Sequence, residues 1–173
     1  IIVFISMNLK FKKYPLSSIS INQNENDIII KCLNTKVISS IGSYVNKFEN
    51  KFSKYLGGGY SIAVSNGTDA IELALKALDI KKGSEVIVPN LTFAASINAI
   101  INCNLVPVLA DINKNTWNID ENEIKKKITR NTRAILIVHN YGVPFDLKNI
   151  IKIVKNKKIY LIEDCAESLG AHI

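Results

Sequence analysis

Five short stretches of this 173-residue chain hold the residues that could do chemistry. Ser65-Asn66-Gly67-Thr68 puts a glycine and small polar side chains where a helix is expected to begin. A helix start exposes unpaired N–H groups and a partial positive charge, which suits a phosphate. The same residues also make an ordinary N-cap, and neither a GxGxxG nor a Walker pattern is present. Asn90-Leu91-Thr92-Phe93, Asp111, His139-Asn140-Tyr141-Gly142 and Glu163-Asp164 complete the set, each after a short apolar run. Asp164 follows Tyr160-Leu161-Ile162. A carboxylate there costs desolvation unless a cationic or protonated partner meets it.

Strands and helices must place these groups. The pattern predicts a strand at Ile62–Val64 and a helix over Thr68–Leu78, with Ile71, Ala74, Leu75 and Leu78 on one face. Then come a strand at Glu85–Val88, a helix over Phe93–Asn102 and a strand at Val106–Ala110. Asp111–Trp117 reads as a loop, and Asp120 as the cap of a helix to Ile128. A strand at Ala134–Val138, a helix over Asp146–Val154 and a strand at Ile159–Ile162 follow. Strands that are continuous apolar runs between helices predict an α/β fold, a mostly parallel sheet with helices on both faces. In such sheets ligands sit beyond the carboxyl ends of the strands, where all five polar stretches fall.

Upstream, residues 7–27 are polar and irregular, with Pro15 and an Asn-rich run from Asn22 to Asn26. Asp27 is expected to cap a short helix through Leu33. Ser39 to Ser43 reads as a loop. A helix from Ser43 carries Val45, Phe48, Phe52 and Tyr55 on one side, and Gly57-Gly58-Gly59 stops it.

A hydrophobic fraction of 47% and a charged fraction of 21% are those of a globular protein. One domain is the default at this length. The formal net charge of +7 favours anionic partners such as nucleotides or membrane surfaces. The lysines are scattered, however, with no aromatic-interleaved basic stripe, so no nucleic-acid partner is expected. Cys32, Cys103 and Cys165 lie far apart, give no metal spacing and fit a reducing cytoplasm. Ile1–Ile5 is too short to span a membrane. The first residue is Ile1 and the only methionine is Met7, which is the expected natural start.

Taken together, the polar groups specify a ligand. A protonated heteroaromatic nitrogen would satisfy Asp164, Phe93 could stack on the flat ring, and the Thr68 helix start could take a phosphate. A ring with a basic nitrogen and a phosphate arm describes pyridoxal phosphate, whose pyridinium pairs with an acidic residue. The runs Ala63–Ala70, Gly83–Pro89, Leu91–Ala95, Pro107–Ile112, Val138–Gly142 and Ile162–Ala171 carry a resemblance as a set. Residues about 38–173 resemble the DegT/DnrJ/EryC1/StrS family, nucleotide-sugar aminotransferases among the fold-type-I pyridoxal-phosphate enzymes. The resemblance implies an N-terminal arm over 1–37 and part of a cofactor-binding large domain over 38–173.

By that resemblance Gly67, Thr68 and the Asp69 N–H hold the cofactor phosphate. Phe93 stacks on the pyridine ring, Asp164 pairs with its nitrogen, and Glu167 lies near the ring hydroxyl. His139 is a further candidate at the floor of the site. The Asp69 carboxylate is expected to turn away from the phosphate. Standing alone, Phe93 also reads as core, His139 as a hydrogen-bonded buried histidine and Glu167 as a helix-start residue. The family's Schiff-base lysine lies beyond Glu163-Asp164-Cys165-Ala166-Glu167. This sequence stops before it at Ile173, so no catalytic lysine is expected within these residues and the chain reads as the first part of a longer enzyme. The resemblance implies an amino-acid donor, glutamate in most of the family, a nucleotide-sugar acceptor and a homodimer. Val37–Gly42 resembles the opening segment of the perosamine-synthetase subgroup, which implies a 4-keto-6-deoxyhexose and a role in glycan synthesis. Three other readings compete. They are a 3-dehydratase relative with histidine in place of the lysine, a noncatalytic binding module, and a doubly wound NAD or ATP domain. The absent glycine fingerprint argues against the last.

Overall fold

The computed structural model describes residues 18–39 and 42–173. Met7, Pro15 and the rest of 1–17 lie outside the described residues, as do Ser40 and Ile41 of the loop before Ser43. The chain forms two compact units, residues 1–63 and 64–173.

Among its described residues the first unit holds two helices, α1 (Gln23–Asn34) and α2 (Ser43–Tyr55). Asn22, not Asp27, caps α1. Its side chain accepts the Asn24 N–H at 2.8 Å, and Glu25 returns the favour to the Asn22 N–H at 2.9 Å. This reciprocal box satisfies two orphan donors at once. It starts the helix a turn before Asp27, whose carboxylate instead accepts from Gln23. On α2, Phe48, Phe52 and Tyr55 stack in sequence at 5.6 and 6.4 Å between ring centroids. Gly57, Gly58 and Gly59 then take positive φ, which ends the helix at no steric cost.

The expected strand at Ile62–Val64 does not form. Residues 60–64 carry no ladder, and Ile62 is 71% exposed. The Ala63 N–H is met instead by the Glu49 carboxylate at 2.8 Å. An apolar run becomes a strand only when a neighbouring strand satisfies its backbone.

The second unit alternates α3 (Gly67–Ala77), β1 (Glu85–Pro89), α4 (Ala94–Asn102), β2 (Val106–Ala110) and α5 (Glu121–Lys127), then β3 (Thr132–Val138), α6 (Lys148–Lys157) and β4 (Tyr160–Asp164). The four strands are parallel in the order β2-β1-β3-β4. Pro107, which has no N–H to donate, sits in the edge strand β2. Side chains alternate across the sheet and build two cores. Val86, Val88, Ala134 and Leu136 pack against Ile71 and Leu75 of α3 and Ala99 and Ile100 of α4. Ile87, Ile135 and Ile137 face the other way, onto Ile124 of α5 and Ile150 and Val154 of α6. Each fully buried aliphatic side chain contributes about 1.5–3 kcal/mol, so the two-sided core fixes the sheet.

The chain runs from β1 to β2 on one side and from β3 to β4 on the other, so the order reverses between β1 and β3. Such a switch point is where open α/β sheets take ligands. The outer ladders run to the strand ends, at Pro89↔Ala110 and Val138↔Asp164. The β1–β3 ladder is registered only as far as Ile87↔Ile135.

Candidate functional site

Beyond the carboxyl ends of the strands, Asp164 is the last residue of β4 and half-buried. Ile162, two residues before it, packs on the α3/α4 core, so Asp164 lies on that face by the strand's period of two. Its Oδ1 accepts the Ala166 N–H at 3.0 Å, and its Oδ2 accepts the Ser96 hydroxyl at 3.4 Å. Each carboxylate oxygen has two acceptor sites, so lone pairs are left for a further donor.

Phe93 stands at the N-cap of α4, one turn before Ser96, with its side chain 81% exposed. That much open aromatic surface excludes the reading of Phe93 as core. On the same face of the sheet α3 begins. Asn66 is its N-cap, with Gly67 and Thr68 as the first two helical residues. Their N–H groups have no intrahelical acceptor. A Cβ placed on Gly67 would meet nothing within 4 Å, so the helix start opens onto free space. The Asp69 N–H, expected among the phosphate donors, is taken by Asn66 Oδ1 at 3.0 Å. The Asp69 carboxylate accepts from the Asn66 amide at 3.0 Å. It is thus held at the cap.

Glu167 accepts the Tyr141 N–H at 2.7 Å, joining the turn after β4 to the turn after β3. Tyr141 sits at φ 53°, in the left-handed region, and meets Trp117 edge-on at 5.6 Å. Beneath them Asn118 and Asn140 form a buried knot. The Asn118 Oδ1 accepts the Asn140 N–H at 3.0 Å, and its amide donates to the Val143 carbonyl at 2.8 Å. The Asn140 amide donates to the Leu91 and Trp117 carbonyls. The knot ties the loops after β1, β2 and β3 together, across the place where β1 and β3 part. Asn90 and Asp111 add a hydrogen bond between the ends of β1 and β2.

His139 is not brought to Asp164's side. Ile135 and Ile137 belong to the α5/α6 core, and His139 continues their face of β3. The residue is 4% exposed. Its Nδ1 accepts the Phe145 N–H at 2.9 Å, so the proton resides on Nε2 and is donated to Glu163 Oε2 at 3.0 Å. Both ring nitrogens are engaged, as in the reading of a hydrogen-bonded buried histidine. Cys165 lies close by, and the three side chains bring ligand-type atoms within 4.8 Å of one another. A metal-bound imidazole normally carries its second nitrogen as an N–H facing an acceptor. Here that nitrogen faces a donor. Partial burial also pushes the thiol of Cys165 up, although the residue as a whole is open to solvent, and a metal needs the thiolate. The chemistry of the three is that of a strut.

The sequence matches a known family over residues 19–173, the DegT/DnrJ/EryC1/StrS aminotransferase family. The chain belongs to this family. GDP-perosamine synthase of Escherichia coli O157:H7 is 43% identical over 160 residues, which are 92% of this chain and 44% of that protein. The dTDP-3-amino-3,6-dideoxy-alpha-D-galactopyranose transaminase of Aneurinibacillus thermoaerophilus is 47% identical over 131 residues, 76% of this chain and 36% of that protein. Among solved structures, the E. coli GDP-4-keto-6-deoxy-D-mannose-3-dehydratase with bound hydrated PLP superposes at a TM-score of 0.86 with 35% identity. It covers 93% of this chain and 43% of that one. The fold is therefore that of the fold-type-I aminotransferases. The chain spans less than half the length of the relatives it matches.

Ser96 and Asn118 had escaped the sequence reading, and Asn140 had been placed at a strand end without a role. Ser96 is completely buried and links Thr92 to Asp164. Asn118 and Asn140 hold the loops. The signal for Ser96 was a lone hydroxyl in the apolar run Ala94–Ile101, one helical turn after Phe93. Asn118 gave none, and Asn140 gave no hint of its role, because their partners are backbone groups far along the chain.

Proposed function

We propose that this chain carries the cofactor-binding part of a pyridoxal-phosphate-dependent aminotransferase. The whole protein transfers an amino group from an amino acid, glutamate, to a nucleotide-linked keto sugar, a 4-keto-6-deoxyhexose, for glycan biosynthesis. The observation that carries this reading is Asp164. It is a half-buried carboxylate with free lone pairs, on the same face of the sheet as the exposed Phe93 ring and the open start of α3.

The residues fit the group. The Gly67 and Thr68 N–H groups and the Thr68 hydroxyl would hold the phosphate, at a helix end whose partial charge favours it. The phosphate would compete with Asn66 for the Asp69 N–H. Phe93 would cover one face of the ring. Asp164 would hold the ring nitrogen in its protonated form, since an opposite charge at contact distance favours the charged species. Glu167 would lie near the ring hydroxyl. Pyridoxal phosphate, when bound, supplies an electron sink for bonds made and broken at the amino carbon.

The protein is further proposed to act as a homodimer with its site at the subunit interface. Phe93, Tyr141 and Leu169 are large side chains left exposed around the site, as an interface would require. A cytoplasmic location fits three free cysteines. No helix among the described residues is long and apolar enough to cross a membrane.

The likeness to the 3-dehydratase structure supports a second reading, loss of the sugar 3-hydroxyl in place of net amination. Incubating the whole protein with glutamate, cofactor and a nucleotide-linked 4-keto-6-deoxyhexose separates the two. An amino sugar found by mass spectrometry supports the aminotransferase, and a 3-deoxy keto sugar without nitrogen supports the dehydratase. Unchanged sugar overturns both.

A further inference from the structure

We infer that Ser96 is a positioning residue for the ring-nitrogen carboxylate. It sets the orientation of Asp164 and, through it, the proton on the cofactor ring; this rests on the cofactor reading above. Ser96 is completely buried in the first turn of α4. Its hydroxyl has two neighbours, Thr92 Oγ1 at 3.0 Å and Asp164 Oδ2 at 3.4 Å. An ionised carboxylate only accepts, so Ser96 donates to Asp164 and Thr92 donates to Ser96. The two hydroxyls thus form a directed chain that ends on the carboxylate.

The other carboxylate oxygen is held by the Ala166 N–H at 3.0 Å. One donor on each oxygen fixes the plane of the group. Without Ser96 the Asp164 side chain keeps one anchor and can turn about it. Both anchors are donors, so each carboxylate oxygen is held in place as an acceptor. The first turn of α4 adds its partial positive charge from the same side. A protonated ring nitrogen then finds a fixed anion.

The test is binding of pyridoxamine phosphate by the whole protein, followed by its fluorescence. A matched ligand has carbon in place of the ring nitrogen. Ser96→Ala should weaken pyridoxamine phosphate about tenfold, the usual scale for a hydrogen bond to a charged group. It should also lower the pH at which the bound ring loses its nitrogen proton. Binding of the carbon analogue should not change, because that ring makes no call on the carboxylate. Ser96→Thr, which keeps the hydroxyl, should restore most of the affinity. Equal weakening of both ligands by Ser96→Ala would assign Ser96 to packing and overturn the inference. So would a Ser96→Ala chain that binds pyridoxamine phosphate like its parent. If the unaltered whole protein binds neither ligand, the cofactor reading falls and this inference falls with it.

Discussion

Glu163 and Asp164 are adjacent carboxylates at the end of one strand, and they do opposite things. Strand alternation sends Asp164 to the α3/α4 face and Glu163 to the α5/α6 face. Asp164 is half-buried, has one donor on each oxygen and lies on the side where Phe93 and the start of α3 are open. Glu163 is paired with His139, whose other nitrogen is locked to the Phe145 N–H. One face is left available for a ligand; the other is closed only in that its buried imidazole has both nitrogens engaged, Glu163 itself being exposed. The backbone joins them, since the His139 N–H donates to the Asp164 carbonyl at 3.1 Å. The closed face therefore holds the strand end from which the open face works.

The largest effect that sharpens this contrast is at Asp164. Asp164→Asn should weaken pyridoxamine phosphate about a hundredfold, the scale for removing one partner of a desolvated charge pair. Glu163→Gln should leave that affinity within about twofold, because its side chain lies across the sheet. Titration of both variants reads the difference directly. Equal losses would break the assignment of the two faces. His139→Ala comes next, and its effect should be on stability. It leaves the Phe145 N–H without an acceptor and opens a cavity among buried groups. The cost is about 2–4 kcal/mol, a large share of the 5–15 kcal/mol that a domain has. Denaturant unfolding measures it. The pH dependence of ligand binding in the surviving folded chain should match the parent's. A shifted profile would give His139 a role on the open face.

Much of this was legible beforehand for physical reasons. Strands of a parallel sheet covered by helices are apolar runs, so β1 to β4 stood out with their helices. Asp164 and Phe93 stood out as a carboxylate and an aromatic ring just past apolar strands, and the start of α3 as Ser65-Asn66-Gly67-Thr68 before an amphipathic run. The run Ile62–Val64 has the same composition as a buried strand, and nothing local tells whether a partner will pair with it. The cap at Asn22 was readable from Asn22-Gln23-Asn24-Glu25, which has the spacing of a reciprocal box, but Asp27 stood closer to the apolar residues. The face taken by His139 was not legible. Alternation says that Ile135, Ile137 and His139 share a side, but only the packed helices show which side that is. Ser96, Asn118 and Asn140 act through partners far along the chain, beyond any spacing rule.

The smallest effects come from two carboxylates that repeat one device on the two faces. Glu72 on α3 accepts from Lys76 and from Asn102 at the end of α4, at 2.8 and 2.6 Å. Glu121 on α5 accepts from Lys125 and from Asn149 of α6, the latter at 3.0 Å. The Lys76 and Asn102 hydrogen bonds hold the Glu72 carboxyl below its ordinary 4.5, and Lys125 and Asn149 do the same for Glu121. A carboxylate whose folded pKa is depressed contributes stability that is present above the unfolded value. That stability is lost as pH falls through the folded value. Glu72→Gln and Glu121→Gln should therefore each be slightly less stable than the parent at neutral pH. The gap should close in acid, below the ordinary carboxylate range. Both groups are only partly buried and their lysine partners are exposed, so salt should shrink the gap further. The two variants should differ in one respect, read by pyridoxamine phosphate binding near neutral pH. Glu72→Gln loosens the pair of helices that carries Phe93, Ser96 and the start of α3, and should weaken binding. Glu121→Gln loosens the pair behind the sheet and should leave binding unchanged. Weakening by both to the same degree would mean that the sheet does not insulate the open face from the closed one.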